Sequence, residues 1–523
     1  MNLRRHTACS TFALASALAL APTLIGCWSS RYEVIEGGNG GHAPAASSTP
    51  GADPNTVVKP ECIDPSGFGG KGCFKCAPTN SAELLSACTT SHYETFENAR
   101  RIAGFDPKNP RPHVPSQGPT PPPYEGSGST TDPLPPAPPC PIDTKPNPVM
   151  MLGASGFPLE TIAKAMGTEA TIFYQEKGSC DGVASMVTND PKLSGDIVYF
   201  DADGTKNRCS LAQPHPADIT TSGLFAQSCA NQSGLSGSVI LPPDVQDYLG
   251  PVNPVMFAVP ATSSERAISA EAAYRVYGFG DASGVAPWSD EELVFRRRGT
   301  SGTQQTVALS LGLPLDGLRG RDSNGASNML KALRESPDPR RTLGISSSEI
   351  VDVNRDVMKS LAYQHFGQPV AFYPDSDPAS LDRKNVRDGH YFMWIPLHVL
   401  ARMRAGDPVS ASNPALDPSG SKRAARDAAV KRLVLVMVNR QQAPVKSVDI
   451  LGALKRIGDV PQCAMHVSRV KEGAALEPYT PPVACDCAFE AALPGTTRKE
   501  CTPCESSAQC SSDRPTCSFG YCE

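Results

Sequence analysis

The stretch Arg296-Arg297-Arg298-Gly299-Thr300-Ser301-Gly302-Thr303 carries the residue types of an anion-binding turn. An apolar run, Leu293-Val294-Phe295, precedes it, and a helical pattern from Gln304 to Leu311 follows. A helix start exposes unpaired N–H groups at the positive end of its dipole, which favours an anion. Ser301 and Thr303 would add hydroxyl donors, Gly302 would admit a ligand to the backbone, and an arginine would grip an oxyanion bidentately. Alternation along the strand puts Phe295 and Arg297 on one face, so Arg297 is expected inward and Arg296 and Arg298 outward. The competing reading is an ordinary helix cap beside a solvated basic run.

Two further junctions of the same kind lie upstream. Val149-Met150-Met151-Leu152 reads as a strand and leads through Gly153-Ala154-Ser155-Gly156-Phe157-Pro158 into a helical pattern. Thr171-Ile172-Phe173-Tyr174-Gln175 leads likewise through Gly178-Ser179-Cys180-Asp181-Gly182-Val183. In order and spacing the three loops resemble G-A-x-x-F-P, Y-Q-x-x-G-S-x-x-G-V and R-x-x-x-S-G-T. These belong to the phosphate-binding lipoproteins and periplasmic proteins of bacterial ABC importers. Trp288-Ser289-Asp290 matches the W-x-D that precedes the third loop in that family. The resemblance covers roughly residues 149–460. It implies an α/β, two-lobed periplasmic-binding-protein-like (type 2) fold with the ligand in the interlobe cleft.

The same resemblance implies the site: the backbone of Ser155, Gly156 and Phe157, with Ser179, Ser222, Arg297, Ser301, Gly302 and Thr303. The family's D-F-G-A-S-D-like strand end has two candidates here, Asp196 to Asp201 and Asp218 to Gly223. The second fits the interval to the strand at 255–259, and residues 189–217 then read as an insertion, stapled by Cys180, Cys209 or Cys229. It puts Gly223 where the family has an aspartate, and Gly299 stands where an acidic residue is frequent. Both changes remove the carboxylates that accept a proton from phosphate and so exclude sulfate.

The chain's beginning speaks of export. Arg4 and Arg5 precede an apolar run from Phe12 to Ile25 that ends in Leu24-Ile25-Gly26-Cys27, a secretory signal with a lipobox. Cys27 is then the acylated first residue of an envelope lipoprotein held to the membrane by its lipid, and Trp28 after it favours the outer membrane. Of 18 cysteines, Cys9 leaves with the signal and Cys27 takes lipid. The even remainder reads as disulfides in an oxidising compartment, including Cys73-Phe74-Lys75-Cys76 and Cys501-Thr502-Pro503-Cys504, which elsewhere could hold metal. A net charge of −5 argues against nucleic acid.

Composition divides the chain. Residues 1–27 are the signal and lipobox, 28–60 a flexible tether, and 61–104 a small cysteine-rich module with one helix over 81–102. Residues 105–148 are a proline-rich linker, expected to stand as an extended spacer. Residues 149–460 form the two-lobed domain, and 461–523 a cysteine-rich C-terminal module with no core of its own, in which Cys463 evens the count. Within the large domain, strands are expected at 149–153, 171–175, 196–200, 254–259, 293–297 and 369–373. Helices are expected at 158–166, 181–188, 269–277, 302–311, 354–366, 396–404 and 420–440. Alternation of this kind argues for a mainly parallel α/β sheet.

Catalysis finds no support in these residues. Ser155 lacks the second glycine of a hydrolase elbow, no His pair has zinc spacing, and His365 and His390 stand alone. Asp201-Ala202-Asp203-Gly204 lacks the later ligands of a calcium loop and reads as an aspartate-capped turn. No enzyme, metal or cofactor is expected. The first functional reading is an envelope lipoprotein that captures a small inorganic oxyanion, phosphate foremost, with an ABC importer or envelope component as partner. The rival is a non-transporting surface or adhesion lipoprotein that keeps the fold as a scaffold.

Overall fold

Strand β1 (Pro148–Gly153) is apolar at every position from Val149 to Leu152, all fully buried, as expected of a strand covered on both faces. In the computed structural model, which describes residues 59–115, 118–125, 135–438, 448–493 and 501–523, it lies near the middle of the first lobe. The signal peptide, the lipobox with Cys27 and nearly all of the expected tether lie outside the described residues. Parallel neighbours flank β1: β2 (Thr171–Glu176) on one side and β5 (Ile219–Ser222) on the other. The antiparallel hairpin of β3 (Leu193–Phe200) and β4 (Lys206–His215) extends the edge beyond β2. That hairpin is what the sequence presented as an insertion. Its tip is the Asp201–Gly204 turn, where Asp203 caps Thr205 N. The disulfide Cys140–Cys209 staples it, while Cys180–Cys229 fastens a different loop.

Two long antiparallel strands join the lobes, β6 (Val245–Pro260) and β10 (Trp394–Arg404). The first half of β6 pairs with β10, and its second half pairs with β9 (Leu343–Ser347). Parallel to β9 runs β7 (Val294–Arg296), followed by β8 (Arg321–Asp322). The order β8-β7-β9-β6-β10-β5-β1-β2-β3-β4 thus runs as one sheet through both lobes.

Helices follow the strands. In the first lobe α1 (Leu159–Met166) and α2 (Ser179–Thr188) pack on the sheet, and α6 (Arg423–Met437) joins α1 over Val149, Met151 and Val399. In the second lobe α3 (Ala270–Phe279) and α4 (Gly302–Leu311) share a core with Phe257 and Trp288, and α5 (Ala326–Arg334) covers the other face. Both lobes are α/β, as the sequence implies, but the sheet is mixed rather than mainly parallel: β5, β10, β6 and β9 run antiparallel in turn, because the two long strands cross between the lobes.

Several elements differ from expectation. Residues 396–404, read as a helix, are all of β10 but its first two residues; the mostly apolar stretch up to Ala401 is buried on both faces and carries no period that separates strand from helix. Residues 354–366 are not helical either, but hold short strands Met358–Ser360 and Ala362–Gln364. The expected helix over 81–102 is two short helices, Ser81–Leu85 and Asn98–Arg101, around the strand Tyr93–Glu94.

The flanking segments are not detached. Leu84, Leu85, Phe96 and Ile102 of the first cysteine-rich segment enter the main core, as does Phe489 of the C-terminal one. The described part of the proline tract is a strap rather than a free spacer. Tyr124 packs edge-on against Phe295 at 5.5 Å, and Arg319 donates to the carbonyls of Gly118 (2.6 Å) and Pro119 (3.3 Å). Polyproline geometry leaves its carbonyls unpaired, so arginines alongside can bind them. All sixteen cysteines from Cys62 onward form eight disulfides, with Cys463 joined to Cys485. Among the described residues no helix is long and apolar enough to cross a membrane.

Candidate anion-binding cleft

The loops after β1, β2 and β7 all open into a cleft of about 920 Å3 between the lobes. Close backbone approach makes this possible. At Gly153, with φ of +135°, a Cβ would sit 2.0 Å from Thr221 O, and at Gly182 one would sit 2.3 Å from the same atom. Glycine at both positions lets α2 press against the ends of β1 and β5 and brings its first turn to the cleft.

From the first lobe, Ser179 opens α2. Its Oγ accepts from Gly223 N at 3.0 Å, and Asp181 Oδ2 accepts from Gly178 N at 2.9 Å. From the second lobe, Ser301 precedes α4 without capping it. The first amides of α4, at Gly302 and Thr303, therefore have no partner in their own helix or from that hydroxyl. The two helix starts nearly touch: a Cβ on Gly302 would lie 2.7 Å from Ser179 Oγ. A third start, that of α5, adds Asn324, Ser327 and Asn328 to the wall. The sequence reading missed this one. The Asn324-Gly325 pair, with both residues at positive φ before a helix, was the available signal.

Arg297 lies on the cleft with Nε and Nη1 buried and no hydrogen-bond partner for either. Burial pulls this guanidinium below its ordinary value, while Glu349 and Glu176 act in the opposite sense. Arg296 turns away, as expected, and is held by Asp322 at 3.1 Å and Gly320 O at 3.2 Å. Arg298 does not follow the expected alternation; it lines the cleft too, because the strand ends at Arg296 and the period of two ends with it.

Of the residues singled out by sequence, Ser155, Ser179, Arg297, Ser301, Gly302 and Thr303 line the cleft together. Three do not. Ser222 is buried, and its Oγ is used within a local turn, donating to Leu224 O (2.7 Å) and accepting from Leu224 N (3.0 Å). Gly156 faces Leu397, and the Phe157 ring packs against Gly250. Gly223, next to Ser222, is the cleft residue of that strand end. Trp288 of the W-x-D sequence is core, stacked on Phe96, and Asp290 pairs with Arg341. His365 and His390 are buried structural groups; the first stacks on Phe392 at 3.7 Å, and burial pushes it down to about 3.

The expected loss of carboxylates is corrected by the structure. Gly223 and Gly299 supply none, but Glu176, Asp181 and Glu349 reach the cleft from β2, α2 and the turn after β9. Glu349 accepts from Asn253 Nδ2 (2.8 Å) and Ser347 Oγ (2.7 Å), so its position is fixed. With Lys177, Arg297 and Arg298, three cations and three anions line the cleft. With charges of both signs balanced, an anion there would have to be held by placed donors rather than by net positive charge.

No family model matches the chain, and no curated protein matches its sequence. Among solved structures it is similar to an ABC-type phosphate transport receptor from Vibrio cholerae. That match has 14% identity over 60% of this chain and 99% of the receptor, with a TM-score of 0.34. It is also similar to PstS from Borrelia burgdorferi, with 10% identity over 60% and 98% of the two chains and a TM-score of 0.31. The reduced OxyR regulatory domain from Pseudomonas aeruginosa matches at 8% identity over 55% and 96%, with a TM-score of 0.28. Likeness at these scores carries no weight for function, which rests on the cleft itself.

Proposed function

We propose that this chain is a solute-binding protein of the cell envelope that captures a small oxyanion, phosphate foremost, between its lobes. The observation that carries the reading is Arg297. A guanidinium with buried, unpartnered nitrogens is costly unless something joins it, and it faces helix starts from both lobes. An oxyanion would satisfy Arg297, the first amides of α4 and the hydroxyls of Ser301 and Thr303 at once. Glu349, held in place by Asn253 and Ser347, would accept the proton of a phosphate and repel sulfate, which has none to give. Eight disulfides fit an oxidising compartment, and acylation at Cys27 would anchor the chain there.

Calorimetric titration with phosphate, arsenate and sulfate tests the cleft. Binding of phosphate and arsenate over sulfate is expected; silence toward all three would favour the scaffold reading instead. For the anchor, Cys27→Ser should release the chain into the soluble fraction. Retention of that variant on membranes washed in high salt would disprove lipidation.

A further inference from the structure

The cleft is larger than the anion its donors would hold. A water molecule takes up about 30 Å3 in the liquid, and phosphate replaces only a few; the cleft, open to solvent at its mouth, offers about 920 Å3. The surplus would mean little if the lobes stood apart, since closure would remove it. They are already bridged. Gln232, in a first-lobe loop, and Gln305, on α4, exchange two amide hydrogen bonds of 3.1 and 2.5 Å. Glu472 accepts from Phe225 N (2.6 Å) and Ser228 Oγ (2.5 Å) in the same loop. Its neighbour Gly473 lies against α4, where a Cβ would come within 2.7 Å of Leu309 O. The loop cannot drift, because Cys180–Cys229 ties it to α2.

The volume therefore belongs to the bridged arrangement, and its unused wall is polar. Asn324 and Ser327 are exposed at the start of α5, with Asn328 beside them, and Glu176 is exposed on the opposite lobe. A bare oxyanion on Arg297 has no use for neutral amides or for a second carboxylate. We infer that the ligand is a small phosphomonoester, its phosphoryl group on Arg297, Ser179 and Ser301 and its short polar tail against Asn324, Asn328 and Glu176. The inference rests on the oxyanion reading above.

The test is calorimetry on the full chain with inorganic phosphate, glycerol 3-phosphate, phosphoethanolamine and glycerol. One or two extra hydrogen bonds to a tail should make at least one ester bind about tenfold tighter than phosphate. Asn328→Ala should weaken that ester more than it weakens phosphate. Glu176→Gln should weaken phosphoethanolamine alone, because only its tail is cationic. Equal or tighter binding of inorganic phosphate would overturn the inference and leave the oxyanion reading intact, as would an ester preference that neither variant moves. Silence toward every phosphate would remove both.

Discussion

Arg387 and Arg297 are both drawn into the protein, and the chain treats them differently. Arg387 is fully satisfied from within: Nε donates to Ala464 O (2.9 Å), Nη1 to Glu490 (2.8 Å) and Nη2 to Asp486 (2.5 Å). Its acceptors sit on the C-terminal segment, and Phe489 packs beside its guanidinium at 5.6 Å. Those carboxylates outweigh the effect of burial and hold Arg387 above its ordinary value. Arg297 makes no ion pair among the described residues, and there burial wins. The fold itself pairs Arg387, whereas under the proposed function the partner of Arg297 would be the ligand.

The contrast breaks most visibly if the interior pair is cut. Arg387→Ala removes the buried cation that Glu490 and Asp486 share, at a cost of about 3–5 kcal/mol of stability. Denaturant titration should show this as an earlier midpoint, with loss of the C-terminal helix Asp486–Ala491 among the first changes. Oxyanion affinity of the folded fraction should not move. Arg297→Ala should do the reverse, lowering oxyanion affinity by about 2–5 kcal/mol, about thirtyfold to several thousandfold. Its stability should hold or rise, because a buried cation without a partner is removed. Loss of stability with unchanged affinity would make Arg297 a structural residue and end the binding hypothesis.

How far the sequence showed this follows from where the information lay. The three strand–turn–helix junctions were legible because glycine, serine and arginine at fixed local spacing determine what a helix start can offer. Ser222 was misplaced by one residue: strand alternation gives its face, but only the turn to Leu224 decides which group reaches the cleft. Glu349 could not be found from loop motifs, because nothing local marks a residue that only the fold brings to the cleft, whereas the Asn324-Gly325 turn before α5 offered a local signal for the Asn324–Asn328 wall. The reading of 396–404 as helix failed for a related reason, since burial on both faces is a tertiary fact. The proline tract reads as an extended spacer and the C-terminal segment as one with no core of its own, and their anchoring, through Arg319 and Phe489, likewise depends on distant partners.

The cluster around Arg387 also predicts a pH effect that the cleft does not. His466 lies between Asp388 (2.8 Å) and Asp486 (3.0 Å), which raise it to about 9 against desolvation. Its two carboxylates are shared with other cations, Asp486 with Arg387 and Asp388 with Lys384. The folded value lies above the ordinary 6.5, so the charged histidine stabilises the fold fully below about pH 6.5. That contribution is lost as pH rises through 9. The imidazole is partly exposed, so solvent screening keeps the effect modest. Unfolding midpoints measured from pH 6 to 10 should fall across this window, and His466→Gln should flatten the slope. An identical slope in the variant would assign it to other groups.

The smallest effects lie beside Arg297 and sharpen the comparison from within one triplet. Arg296 behaves as the interior arginine does on a smaller scale: Asp322 and Gly320 O take its nitrogens, and it does not line the cleft. Arg296→Ala should therefore cost well under 1 kcal/mol in oxyanion affinity and a comparable amount in stability. Arg298 is exposed but on the cleft. An exposed charge acts mainly on encounter and is screened by salt, so Arg298→Ala should slow association at low ionic strength and lose that effect at high. The order expected in calorimetry is Arg297 far above Arg298, and Arg298 at or above Arg296. Three equal losses would describe a diffuse basic patch, in which pairing within the fold no longer separates one arginine from the next.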